Sequence, residues 1–263
     1  MDCATVLKEL EKAGAAPTRK VLAACGVKNP AFGTPDGTIA TLAKKLGCNH
    51  ELAHELWKSG HFEARIVATL IADPKQLNAA QVDRWARDAG NGLVAEAAAR
   101  IAARAAAMNA GVKFADAKRW SDSPDEWIGT LGWTMIAVLS EDGTLPERDC
   151  TAALDRIERG IATAKNRTRH AMNLALIGIG VGHTTLRDRA LTIAEKVGKV
   201  ECNLGKPGEE TPDAHAAILK GKNGTKAKAN GAKKSAGSNG TKKSASNGTV
   251  TTVVRKKTAA AAR

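Results

Sequence analysis

The constraint that most narrows what this 263-residue chain can fold into is a period. Apolar residues recur three and four positions apart in block after block, and Gly, Pro or a Ser/Asp cluster closes each block. That spacing puts apolar side chains on one face of an α-helix, whereas a half-buried strand needs strict alternation. In HFEARIVATLIADP (61–74) the set Phe62, Ile66, Val67, Leu70 and Ile71 forms one stripe and Pro74 closes the block, which predicts a buried helix of about three to four turns. Abundant alanine and the absence of tyrosine argue against strands. Twelve helices are expected near residues 3–13, 18–25, 35–46, 50–58, 61–73, 79–89, 92–109, 114–119, 124–140, 147–163, 166–179 and 184–198, with a short one at 212–220. Links this short imply antiparallel neighbours, so the expected fold is an all-α solenoid of helix pairs, without a sequence repeat of fixed period.

Three helix starts share one chemistry: Thr34-Pro35-Asp36, Ser123-Pro124-Asp125-Glu126 and Thr211-Pro212-Asp213. In each, a hydroxyl is expected to cap free amides, proline is tolerated in the first turn, and carboxylates favour the positive end of the helix dipole.

Composition changes abruptly after Gly221. Residues 220–263 carry twelve Lys and Arg and no Asp or Glu, while the rest of the chain holds 28 basic against 27 acidic residues. The expected organisation is therefore a helical domain over 1–220 and a disordered Lys/Ala/Ser/Gly-rich tail over 221–263. Such a tail associates with a polyanion by counterion release, without reading base sequence. Lys233, Lys234, Lys242, Lys243, Arg255, Lys256 and Lys257 are its candidate contacts, and nucleic acid is favoured over an anionic membrane or a solubility role. Its three Asn-Gly-Thr sites (Asn223, Asn239, Asn247) match the glycosylation pattern, but the charged N-terminal segment has no secretory character and flexible-linker chemistry is the simpler reading. No apolar run is long enough to span a membrane. A soluble monomer, cytoplasmic and nucleoid-associated, is the expectation. The five scattered cysteines suit neither a disulfide framework nor a zinc knuckle, and reduced thiols packed as small apolar groups are expected.

His50-Glu51-Leu52-Ala53-His54 has the HExxH form that sets two imidazoles on one helix face for zinc, with glutamate as base. It opens a helix directly after Gly47-Cys48-Asn49, is followed by charged Glu55, and no third ligand is indicated. An exposed first turn without metal is favoured, and a zinc hydrolase remains a third functional reading. A second basic cluster, Lys165, Arg167 and Arg169 within KNRTRH (165–170), sits at a helix start where free amides would add to its attraction for backbone phosphate. The five tryptophans supply most of the large aromatic surface and are expected mainly in the core. Trp85, flanked by Arg84 and Arg87 in DRWARD, is the one that could line a cleft.

Several blocks together resemble the DNA alkylation repair enzyme family, the AlkD-like glycosylases built from HEAT-like repeats. They are TRKVLAACGV with AFGTPDGTIATLAKKLG (18–47), LWKSGHFEARIVATLIADP (56–74), QVDRWARD (81–88), DEWIGTLGWTMIAVLS (125–140), and AMNLALIGIG with AEKVGKVE (171–180, 194–201). The similarity covers about residues 4–220. It implies a right-handed superhelix of HEAT-like helix pairs whose concave face holds duplex DNA, and in some members excision of cationic N3- or N7-alkylated purines without metal or organic cofactor. In that chemistry a carboxylate near the sugar stabilises developing oxocarbenium charge. The family's Trp and the catalytic Asp four residues later align with Gly92 and Glu96, its Arg with Thr130, and a second Trp with Leu174. Only the carboxylate is kept. The resemblance thus implies a DNA-binding repair protein, a monofunctional alkylpurine glycosylase if Glu96 is catalytic, with Trp85, Trp133, Arg65 and Arg87 as candidate nucleotide contacts. The alternative is a non-catalytic duplex-DNA-binding member.

Overall fold

The computed structural model describes residues 1–205 and 208–221. Beyond Gly221 the expected tail lies outside the described residues. The helices are α1 (Cys3–Lys12), α2 (Ala16–Ala24), α3 (Asp36–Leu46), α4 (His50–Lys58), α5 (Phe62–Ile71), α6 (Ala79–Asp88), α7 (Gly92–Ala107), α8 (Phe114–Ser121), α9 (Glu126–Glu141), α10 (Glu147–Gly160), α11 (Asn166–Gly182) and α12 (Arg187–Val197). A 3₁₀ turn, Thr184–Leu186, precedes α12, and residues 214–221 are again helical. The period-based reading placed every one of these elements, with ends shifted by a few residues. Among the described residues there is no strand, and none of the helices is long and apolar enough to cross a membrane.

The helices stack in pairs. α4 packs on α5, α6 on α7, α8 on α9 and α10 on α11, while α5, α7, α9 and α11 also touch in succession. Two layers result, with the second helix of each pair in a continuous row. α7 fits between α5 and α9 because its buried positions are mostly alanine, including Ala95, Ala98, Ala99, Ala102 and Ala103. α9 and α11 come closer still: a Cβ on Gly178 would lie 2.5 Å from the Ala137 carbonyl oxygen.

Three tryptophans of the core are lidded by arginines that are themselves held by aspartates. Arg65 lies 5.2 Å over the Trp57 ring and donates to the Asp88 carbonyl. Arg119 lies 5.2 Å over Trp120 and pairs with Asp83 at 3.2 Å. Arg156 lies 4.5 Å over Trp133 and pairs with Asp122 at 2.6 Å. Each lid covers the aromatic face where core meets solvent, a favourable cation–π geometry.

Several local expectations change. Thr34 caps no helix: its hydroxyl donates to the Leu10 carbonyl at 2.7 Å, and Pro35 occupies the N-cap. At the other two starts the aspartate caps instead of the hydroxyl, Asp125 accepting from Trp127 and Ile128 and Asp213 from Ala216. Proline between hydroxyl and aspartate moves the helix start by two residues, which hands the cap to the acid. The stripe of α5 also splits. Phe62, Val67 and Ile71 are buried, but Ile66 is only partly so and Leu70 is 51% exposed. Unforeseen was Glu63, fully buried, whose carboxylate accepts the amides of Phe32, Gly33 and Thr34 at 3.0, 2.6 and 3.2 Å and ties the link before α3 to α5. Of the cysteines, Cys150 is buried 3.2 Å from His183 Nε2, whereas Cys48 is exposed rather than packed.

Candidate nucleic-acid interface

Where α5 and α7 lie side by side, a cavity of about 190 Å³ opens between them. It is lined by Ile66, Thr69 and Leu70 from α5 and by Leu93, Glu96, Ala97, Arg100, Ile101 and Arg104 from α7. Glu96, Arg100 and Arg104 follow one another at four-residue steps, so they share one face of α7 about 6 Å apart along its axis. Arg100 and Arg104 are exposed, and neither forms an ion pair within 4 Å among the described residues. These two cations were missed in the sequence, although the spacing Glu96-x₃-Arg100-x₃-Arg104 was there to find them.

Glu96 is held from the other side. Its side chain is 15% exposed, and Oε1 lies 3.5 Å from Nη1 of Arg167, whose own side chain is 8% exposed. The second guanidinium nitrogen of Arg167 donates to the Leu204 carbonyl at 2.9 Å. Arg167 reaches this place because residue 92 is glycine: a Cβ there would lie 2.8–3.0 Å from its Cδ, Cγ and Nε. Burial pushes the Glu96 carboxyl above its ordinary range, opposed by Arg167 and Arg100 and reinforced by Glu209. The carboxylate therefore forms part of the groove wall with its charge turned toward Arg167.

Arg167 is thus not the exposed phosphate contact expected of it, and its cluster changes accordingly. The free amide of Arg167 at the start of α11 is taken by Oε1 of Glu126 at 2.8 Å, so a carboxylate already fills the anion position there. Lys165, although exposed, donates to the Pro124 carbonyl at 2.9 Å, and Arg169 donates to the Ala164 carbonyl at 2.8 Å. Next to them His170 is buried against the Thr211 hydroxyl at 3.2 Å; burial first and Arg167 second lower its pKa to about 4.

None of the four proposed nucleotide contacts joins Glu96. Trp85 is 2% exposed and stacks on Trp57 at 4.4 Å, because α6 turns it inward while Arg84 and Arg87 face outward. Trp133 is also buried, beneath Arg156. Arg65 is committed to Trp57 and Asp88, and Arg87 pairs with Asp83 at 3.4 Å. Thr130 is fully buried and Leu174 packs against the core, so both serve helix packing. His50 and His54 share the first turns of α4, rings edge-on at 4.9 Å, with His54 also edge-on to Trp85. Among the described residues no group of three His, Cys, Asp or Glu could hold a metal ion. Lys233, Lys234, Lys242, Lys243, Arg255, Lys256 and Lys257 lie outside the described residues.

A larger cavity of about 490 Å³ lies between α8 and α10, lined by Phe114, Ile136 and Leu145 among others. Three of its cations already have carboxylate partners, Lys118 and Arg156 sharing Asp122 and Arg148 beside Asp149. The smaller α5–α7 groove, with its unpaired arginines, is the better surface for a polyanion.

Paired helices in a continuous row define an α-solenoid, and the groove on that row bears unpaired arginines beside a pinned carboxylate. A model of the DNA alkylation repair enzyme family matches residues 6–200, and the chain belongs to that family. The uncharacterised protein Lin0241 of Listeria innocua is 31% identical over 183 residues, which are 68% of this chain and 77% of the relative. Lmo0209 of Listeria monocytogenes, also uncharacterised, is 30% identical over 186 residues, 70% of this chain and 79% of its own. The fold matches, at a TM-score of 0.74 and 28% identity over 86% of this chain and 95% of the other, a solved structure described as "a new family of proteins related to the HEAT-like repeat DNA glycosylases with affinity for branched DNA structures". The chain has that HEAT-like all-α fold.

Proposed function

We propose that this chain is a DNA-binding member of its family that engages DNA through the α5–α7 groove and does not excise bases. The observation that carries the reading is Arg167, which fills the space over Gly92 and faces Glu96 at 3.5 Å. Stabilising an oxocarbenium ion needs a carboxylate whose charge is directed at the sugar. Here that charge is directed at a buried guanidinium, and burial further favours the protonated, neutral form. The two rings expected to grip a cationic base, Trp85 and Trp133, are in the core, each 2% exposed. DNA as the ligand is supported by the family, by the branched-DNA affinity of the related solved structure, and by the unpaired Arg100 and Arg104. The twelve basic residues of 220–263 add a contact independent of base sequence.

The test is alkylpurine release from methylated duplex DNA by protein shown in the same preparation to retard DNA in a gel. Release no faster than without protein is expected. Release by wild type that disappears in Glu96→Gln would overturn the reading and restore the glycosylase built on Glu96. Removing residues 222–263 should weaken duplex binding at low salt and flatten its salt dependence; an unchanged slope would exclude the tail from the interface.

A further inference from the structure

An apolar strip runs through the groove beside the unpaired arginines. A singly exposed leucine is ordinary on protein surfaces, but Leu70, 51% exposed, is not single. Ile66, one turn earlier on α5, and Leu93, across on α7, line the same 190 Å³ cavity and are only partly buried. Glu96 shares the lining, and its charge is answered first by Arg167. Apolar surface beside two guanidinium groups that form no ion pair within 4 Å among the described residues therefore suits a ligand that presents both an apolar face and flanking negative charge.

We propose that this cavity is a site for an unstacked nucleobase at a branch point in DNA. Leu70 stands at its mouth as an aliphatic wedge, and Arg100 and Arg104 hold the neighbouring phosphates. The inference rests on the DNA-binding reading above and names its substrate class. In an intact duplex, an aliphatic wedge must first unstack a base step, which costs free energy. At a branch point stacking is weaker than in a continuous helix, so the same contact forms at a lower cost and the surface selects DNA by its structure. Stacking on aromatic rings, the usual platform for exposed bases, is not offered by this cavity, whose lining contains no aromatic side chain. Glu96, pinned by Arg167, lies at the edge of the site as part of its wall.

The experiment uses the full chain, a four-way junction carrying 2-aminopurine at the branch nucleotide, and a duplex of matched sequence. Wild type is expected to bind the junction more tightly than the duplex and to raise 2-aminopurine fluorescence. Leu70→Ala, a change at an exposed position, should keep its thermal midpoint, lose about tenfold in junction affinity, and abolish the fluorescence rise. Leu70→Phe should retain both. Arg100→Ala with Arg104→Ala should lower the salt slope of junction binding by about 2. Junction affinity and fluorescence unchanged in Leu70→Ala would overturn the wedge. Binding that treats junction and duplex alike, with no fluorescence rise, would overturn the site while leaving DNA binding intact. Failure of wild type to bind either DNA would overturn the DNA-binding reading and the site with it.

Discussion

Removing Arg167 should destabilise the protein in a way that depends on pH and on Glu96. The two side chains are 8% and 15% exposed and 3.5 Å apart. Taking one partner from a buried pair costs about 3–5 kcal/mol, because the other charge stays behind uncompensated. The length of this contact and the residual exposure of Glu96 place the expectation at the lower end, about 3 kcal/mol for Arg167→Ala at neutral pH. Loss of the bond to the Leu204 carbonyl adds about 1–2 kcal/mol. The sign of the pH dependence follows from burial, which raises the Glu96 pKa in the folded state. A raised carboxyl binds its proton more tightly when folded, so burial of the charge costs nothing below the unfolded value, about 4.3, and more as pH rises through the folded value. Arg167 offsets that cost, and its removal should therefore matter least near pH 4 and most near pH 8. Urea denaturation followed by circular dichroism, on wild type, Arg167→Ala, Glu96→Gln and the double variant, separates the terms. The Leu204 bond is lost in both backgrounds and cancels in the cycle. A coupling of about 1.5 kcal/mol or more at pH 8, shrinking toward pH 4.5, is expected. Additivity within about 0.5 kcal/mol, or a cost of Arg167→Ala that is the same at both pH values, would refute Arg167 as the counterion of Glu96.

Other residues test the surrounding argument. Glu63→Gln turns an amide N–H toward amides that now donate to a carboxylate, and should cost about 3 kcal/mol in the same denaturation assay. His170, with its pKa lowered to about 4, is neutral when folded. Its contribution is present above the unfolded value of about 6.5 and is lost as pH falls toward 4, so His170→Gln should flatten the stability profile across that window. Trp85→Ala should lose about 3–5 kcal/mol by cavity formation while the surviving folded fraction keeps its junction affinity; a selective loss of DNA binding would return Trp85 to the interface.

The helices were legible because apolar period is a local signal that survives in every repeat. What the period could not separate was the core face from the groove face of α5. Ile66 and Leu70 are spaced as a core pair and differ from Phe62, Val67 and Ile71 only in facing α7 across an open seam. Caps were misread where proline displaced the helix start, leaving Thr34 to bond with Leu10, 24 residues away. At the candidate groove, the family resemblance singled out Glu96, while Arg100 and Arg104 were missed although their spacing from it was on view. The partner of Glu96 was not: Arg167 lies 71 residues away and meets it only because α7 begins with a glycine. A cluster such as 165–170 reads as exposed charge in sequence, yet one of its arginines turns inward to a buried carboxylate while another is used on a carbonyl of its own helix start.

The lidded tryptophans have an optical consequence. With no tyrosine in the chain, near-ultraviolet absorption and emission come almost wholly from five indoles in two groups, Trp57 and Trp85 on α4 and α6, and Trp120, Trp127 and Trp133 on α8 and α9. Neighbour-only packing lets a solenoid open one segment at a time. Replacing Trp57 and Trp85 by phenylalanine would darken the first group and leave emission reporting on α8–α9 alone. Comparing its red shift with that of wild type would show in which half opening begins, with no label added.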